Sequence, residues 1–311
     1  MVAGHVTDEQ LPSHAPTVPG ATLLGRRRGS PLWVTLRFVR RQPLGTIGGL
    51  LILGFFLVAL LAPVVAPQGY NTTHLLAKLH RPSRAYPLGA DQLGRDQLSR
   101  IIYGARTSMY VGLGTVAIAT VLSVAIGMFS GFVGRWPDLV IQRVVDAWLA
   151  FPTLVILLSL MAVVGTGMAQ VIAVLSVSIG IGGTRVVRSA TLMFRKATFV
   201  EAARATGAST LRLLLQHVLP NLFGPIMVMA TIGLSAAILA EAGLSFLGFG
   251  IPPPTPSWGQ MLSGSAALYI YNAPWLAIFP GVAITLVVFG VNMFGDALRD
   301  ELDPRLGGSR G

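Results

Sequence analysis

Long windows without a single charged side chain constrain this chain more than any other feature. Residues 44–66 (LGTIGGLLILGFFLVALLAPVVA), 107–134, 147–184 and 275–295 contain no Asp, Glu, Lys or Arg. About 20 predominantly apolar residues suffice to cross about 30 Å of hydrocarbon as a helix. A water-facing surface of that length would need charge, whereas here only 11% of residues are charged and 53% are hydrophobic, against about 25% charged in an ordinary soluble domain. The bilayer is therefore the solvent these windows fit, and a typical soluble enzyme is excluded. With no cysteine, disulfides, thiolate metal sites and cysteine nucleophiles are excluded as well.

The windows predict an all-α integral membrane protein with six transmembrane helices. Residues 44–66 form the first. The preceding segment 31–43 (PLWVTLRFVRRQP) mixes Trp33 and Phe38 with Arg37, Arg40 and Arg41 and reads as an interfacial helix. Residues 67–106 form a loop, and 107–296 hold the remaining five helices. In the second helix Gly127 and Gly131 are four apart, so one face is open to close approach by another helix. The window 147–184 is too long for one helix, and Gly165-Thr166-Gly167 supplies a turn between the third and fourth. Asp138, Arg143 and Asp146 sit in the first turns of the third, where Arg143 and Asp146, three apart, form a local ion pair. Pro152 kinks that helix. The fifth runs over about 222–249 and the sixth over about 275–295, leaving 297–311 as a tail. Residues 250–274 are uncharged, and a short additional span there stays open.

Lys and Arg set the orientation, since short cytoplasmic loops carry the positive excess. With both termini cytoplasmic, all but Lys78, Arg81, Arg84, Arg95, Arg100 and Arg106 of the 23 Lys and Arg residues lie inside, and those six fall together in the long 67–106 loop. The net charge of +11 is thus spent on flanking apolar spans rather than on a water-facing patch, so no nucleic-acid partner is expected. Residues 1–30 hold Pro12, Pro16, Pro19 and Gly20 and lack the apolar core and cleavage site of a leader; they read as a disordered cytoplasmic tail.

The loop between helices four and five, residues 195–220, has clear helix grammar. Thr198 precedes Glu201 by three residues as a capping box, and Gly207 supplies a left-handed stop. Ser209 caps a second helix with Leu211, Leu214, Leu215 and Val218 on one face, and Pro220 closes it. Ala202 and Ala203 keep the first helix shallow enough for another protein's groove to approach.

Glu201-Ala202-Ala203, with Gly207 and then Leu219-Pro220 beyond, resembles the cytoplasmic EAA motif of ABC importer permeases. YPLGADQLGRDQLSRIIYGARTS (86–108), EAGLSFLGFGIPPPTPSWGQML (241–262) and GDALRDELDPRL (295–306) resemble the C-type subunit of the dipeptide, oligopeptide and nickel branch. The resemblance spans roughly residues 30–306 and implies a type I importer permease fold. It also implies a second permease subunit as heterodimer partner, two ATPase domains that use ATP and Mg, and an external substrate-binding protein. No cofactor is expected on this chain. The resemblance further implies that Glu201, Ala202, Ala203 and Gly207 couple the permease to its ATPases, with short peptides as cargo and nickel or another small solute as the alternative. His217, in His-x-Leu-Pro-Asn, is read as a packing or polar residue rather than a metal ligand.

Three further readings concern single sites. Glu241, the lone acid of its apolar helix, lies about 28 Å along from Leu222, at the membrane boundary. It is either a structural acid or a gate. Asp91, Arg95, Asp96 and Arg100 are expected on a helix lying on the external membrane surface, as a solvated charged face or as a docking site for the binding protein. There is no GxxxxGK[ST] loop and no metal-ligand spacing, so neither catalysis nor metal binding is expected. An intramembrane hydrolase would need a His base, and the apolar spans hold none. An ion-coupled secondary transporter is the rival from a different class, but it would show paired inverted halves or more intramembrane acids.

Overall fold

A computed structural model describes Val39 and residues 41–302, apart from the side chains of Ser265 and Ala267. The tail expected at 1–30, nearly all of the interfacial helix expected at 31–43, and residues 303–311 lie outside the described residues. Within them the chain is helical: α1 (Pro43–Leu60), α2 (Gln97–Val133), α3 (Arg135–Leu149), α4 (Thr153–Val164), α5 (Met168–Arg195), α6 (Thr198–Ala205), α7 (Thr210–Phe246), α8 (Trp258–Leu262) and α9 (Trp275–Leu302). Helices α1, α2, α5, α7 and α9 are each long and apolar enough to cross a bilayer, and α3 with α4 form a bent pair that meets the same criterion.

Two ends of the bundle are distinct. At one, residues 61–96 reach the start of α9, where Trp275 Nε1 donates to the Ala90 carbonyl at 3.2 Å, and residues 247–274 reach the α4–α5 turn, where Gly167 N donates to the Gly250 carbonyl at 3.2 Å. At the other, the Arg204 guanidinium lies 5.8 Å from the Phe132 ring centre, which puts α6 beside the end of α2. Because α2 ends at this second end and the α4–α5 turn lies at the first, the bent pair carries the chain across the bundle.

Helix α2 packs along α5 where its glycines permit. A Cβ on Gly127 would lie 2.6 Å from the Thr184 carbonyl oxygen, and one on Gly131 would lie 2.9 Å from that of Arg188. The backbones touch there, as the four-residue spacing predicts. Large apolar side chains such as Leu50, Val121, Phe129, Leu286 and Phe289 point outward and are exposed. Such a shell suits acyl chains, because lipid imposes no cost on it.

Several element limits differ from the sequence reading. Helix α1 stops at Leu60, and Ala62–Val65 make a separate short turn, Pro63 being unable to continue the hydrogen-bond ladder. Helix α2 begins ten residues before the expected window, and α9 continues through Arg299 to Leu302. Both extensions carry charges, which helices tolerate once they project beyond hydrocarbon. The third helix is broken rather than kinked: α3 and α4 meet at 92° across Ala150–Pro152, where the residue before proline is pushed out of the helical region. Residues 250–274 hold only α8 and the short Ser265–Leu268 helix, neither long enough to span.

Candidate functional site

The site builds up from the connection between α5 and α7. Helix α6 starts at Ala197, whose backbone is extended and whose side chain cannot cap; Thr198 is already the first helical residue. The expected capping box is therefore absent. One face of α6 packs inward, with Val200 fully buried and Ala203 resting on a cluster that includes Leu213, Leu214, Val218 and Leu222. The other face presents Glu201 and Ala202 to the exterior. The Glu201 carboxylate has no hydrogen bond or ion pair with another described residue, so neither capping nor pairing among the described residues accounts for it. The helix ends as expected: Gly207 has φ +84°, and Ala208 N reaches the Ala203 carbonyl at 3.1 Å while Gly207 N reaches that of Arg204 at 3.0 Å. That reverse turn satisfies two end carbonyls.

Ser209 then accepts from Arg212 N at 3.4 Å and opens α7. Here the expectation of a closed helix-turn-helix fails, because Pro220 does not terminate the second helix. Leu213–Val218 form a π turn and Leu219–Leu222 a 3-10 turn, and the helix runs on to Phe246. In regular α geometry the proline ring would strike the Gln216 carbonyl, and the wide turn before it gives that room. The extra residue in the turn also rotates the register. Leu213, Leu214 and Val218 are buried, whereas Leu211 and Leu215, expected on the packed face, are 65% and 49% exposed. The loop's second helix is thus one piece with a membrane span, about 55 Å long in all.

Helix α3 is strapped to α5 beside this connection. Asp138 accepts two hydrogen bonds of 2.6 Å, from Arg188 Nε and Nη2, and a third from the Ser130 hydroxyl. The expected Arg143–Asp146 pair is present at 3.9 Å, but Asp146's tighter partner is Arg185, at 2.5 Å. Between α5, α7 and α9 an apolar groove of about 940 Å³ opens, lined by residues such as Gly182, Val186, Asn221, Gly224, Met229 and Arg299.

At the opposite end the acidic and basic residues of 91–100 take a different form from the one expected. No surface helix forms, and Asp91, Arg95, Asp96 and Arg100 are all buried. Gly94, at φ +71°, breaks the segment. The Asp91 carboxylate folds back on Leu93 N at 2.8 Å and Arg95 N at 2.9 Å, and it also takes Arg95 Nε at 2.7 Å. Asp96 caps α2 by accepting from Ser99 N at 2.8 Å. A solvated face is excluded, since these groups are spent on shaping the entry to α2.

Glu241 lies one turn before the end of α7 and is completely buried. Ser245 donates to its Oε1 at 2.7 Å, and Ile251 N reaches the same serine hydroxyl at 3.4 Å. Gly259 of α8 sits directly on Ala242. The carboxyl therefore underlies the 247–262 segment rather than projecting into an opening.

Sequence reasoning placed the α6 residues on one tip but missed the cross-helix carboxylate pairs and the continuity of α7. The i, i+8 spacing of Asp138 and Asp146, opposite Arg185 and Arg188 at i, i+3, was the available signal.

Comparison with known proteins agrees with this geometry. Residues 123–308 match the family described as "Binding-protein-dependent transport system inner membrane component", and residues 30–82 match the "N-terminal TM domain of oligopeptide transport permease C". The chain is 40% identical over 278 residues to the dipeptide transport system permease protein DppC of Alkalihalophilus pseudofirmus, covering 89% of this chain and 91% of that protein. It is 42% identical over 270 residues to the di/tripeptide permease DppC of Pseudomonas aeruginosa, covering 84% and 88%. It is 38% identical over 283 residues to the oligopeptide permease OppC of Bacillus subtilis, covering 90% and 92%. Among solved structures, an inward-facing conformation of the MetNI methionine ABC transporter superposes with a TM-score of 0.54 at 20% identity, over 66% of this chain and 96% of the solved one. That likeness concerns the fold.

Proposed function

The chain belongs to the binding-protein-dependent transport system inner membrane components, the permeases of ABC importers, and from that premise we propose that it forms half of a translocation pathway for di- and oligopeptides. The observation that carries the reading furthest is the build of the α6 tip. Glu201, unpaired among the described residues, and a bare Ala202 are displayed on a short helix, which is seated on the same rod that runs through the membrane as α7.

On this reading the α6 end faces the cytoplasm, both termini lie there, and Glu201, Ala202, Ala203 and Gly207 contact the partner ATPases. This chain supplies no catalytic group; ATP and Mg are used by those partners. Closure of the ATPases moves α6 as a rigid body, and the buried Val200 and Ala203 contacts pass that motion to the base of α7. The Arg188–Asp138 pair ties α3 to α5, so the two helices shift together. The apolar groove between α5, α7 and α9 faces the second permease and lines the pathway. The 61–96 and 247–274 end meets the external binding protein. Names of relatives support peptides over nickel, and a single fully buried acid supports no ion-coupled cycle.

The test is purification of the tagged chain from membranes in mild detergent, followed by identification of accompanying proteins and an ATPase assay. Co-purifying ATPases and a second permease, with hydrolysis stimulated by a peptide-loaded binding protein, is the expected result. Purification of the chain alone, together with ion-gradient-driven solute uptake into liposomes without ATP, would overturn it.

A further inference from the structure

The buried charges at the 61–96 end do more than shape a turn, because they leave hydrogen-bond donors unused around an opening. A pocket of about 130 Å³ lies between the 91–97 segment, α8 and the start of α9, and its walls include Asp91, Arg95, Gln97, Arg100 and Gln260. That volume holds several water molecules. Arg95, Gln97 and Arg100 are 7%, 2% and 4% exposed.

The donors can be counted. Arg95 gives its Nε to Asp91 and makes no hydrogen bond from either Nη to a described residue. Arg100 gives Nη1 to the Tyr70 carbonyl at 3.2 Å, holds Nε 3.7 Å from Asp91, and makes no hydrogen bond from Nη2 to a described residue. The Gln97 carboxamide, almost wholly buried, has no hydrogen-bond partner among the described residues. Across the pocket the Gln260 side-chain oxygen is buried and unpartnered, and turning that amide would offer its NH2 instead. Two guanidiniums face one carboxylate in the lining, and that carboxylate already accepts from Leu93 N, Arg95 N and Arg95 Nε. Asp96, outside the lining, caps α2 through Oδ2, and its Oδ1 is buried with no hydrogen-bond partner among the described residues. These guanidinium donors border the opening, and a planar anion is the group that matches their fork.

We propose that this pocket binds a carboxylate, held by Arg95 and Arg100 and oriented by Gln97. The site goes beyond the transport reading and does not depend on which end faces out. Its carboxylate comes either from a small free acid or from the C-terminus of a peptide.

The experiment is thermal unfolding of the full-length protein in lipid nanodiscs, with any subunits that accompany it, as acetate replaces chloride at constant ionic strength. A saturable rise in midpoint of roughly 2–4 °C is expected at about five times the Kd. The Gln97→Glu variant places its own carboxylate among the guanidiniums, so it is expected to start from a higher midpoint and to ignore acetate. Should that variant fail to fold, Gln97→Leu is expected to need about tenfold more acetate, as one hydrogen bond to a charged group is lost. Dialanine acting where its C-terminal amide is inert identifies a peptide terminus as the source. Acetate acting while both are inert identifies a free acid. No acetate response in the unmodified protein, or an equal response in Gln97→Glu or Gln97→Leu, means that the pocket holds water only and overturns the proposal.

Discussion

Arg188 and Asp138, fifty residues apart in the chain, meet through two near-equal hydrogen bonds of 2.6 Å, and this fork fastens α3 to α5 beside the coupling loop. Both side chains are mostly shielded, at 28% and 15% exposure. A pair in that setting is stronger than a surface ion pair but leaves a costly remainder when halved.

Asp138→Asn and Arg188→Gln are each expected to lower stability by about 1–3 kcal/mol, and the double variant by less than the sum. A double-mutant cycle on thermal unfolding in nanodiscs measures this. Strict additivity would show that the fork contributes nothing of its own.

Gly127→Leu is expected to force α2 and α5 apart, because even a Cβ would lie 2.6 Å from the Thr184 carbonyl oxygen. Overpacking of this kind costs about 1–3 kcal/mol or more. Gly54→Ala on α1, where an added Cβ meets nothing within 4 Å, is the matched control and should be neutral. Equal thermal midpoints for the two variants would sink the close-contact account.

Glu201→Ala should fold and insert normally, since its carboxylate meets no other described residue and caps nothing. The expected loss is in ATP hydrolysis stimulated by loaded binding protein, by tenfold or more, about 1.4 kcal/mol of coupling. Full stimulation in this variant would remove Glu201 from the coupling contact.

Glu241→Gln keeps an acceptor for Ser245 and removes a buried carboxylate with one unpartnered oxygen, so stability and transport are expected to hold. Glu241→Ala leaves a cavity and strips Ser245 of its partner, at a cost of about 2–4 kcal/mol. Folded Glu241→Gln protein that no longer transports would return the residue to the role of a gate.

Much of this molecule is legible in its sequence. Uncharged windows can satisfy their backbone only as helices in lipid, so the all-α membrane class follows from composition along the chain. Gly127 and Gly131, the Gly207 stop and the Ser209 cap each act within a turn or two, and each appears where its chemistry requires. Local grammar failed where a residue had two uses. Thr198 has the spacing of a cap, yet Ala197 takes the position because Val200 must face the cluster below. Pro220 reads as a stop, yet the π turn before it lets α7 continue.

The charged residues 91–100 divide the two kinds of knowledge most clearly. The sequence by itself placed Asp91, Arg95, Asp96 and Arg100 in the loop before the second span, and expected them on a helix lying on the membrane surface. Only the tertiary structure decided that all four are buried, that Arg95 and Arg100 turn to Asp91 around a pocket, and that Asp96 caps α2 instead. The same holds for Asp138 with Arg188 and for the burial of Glu241 against Ser245. Propensity and hydropathy report what a segment of about twenty residues prefers, whereas burial and pairing of a charge depend on which distant helix comes to lie against it, and that is set by packing summed over the whole bundle.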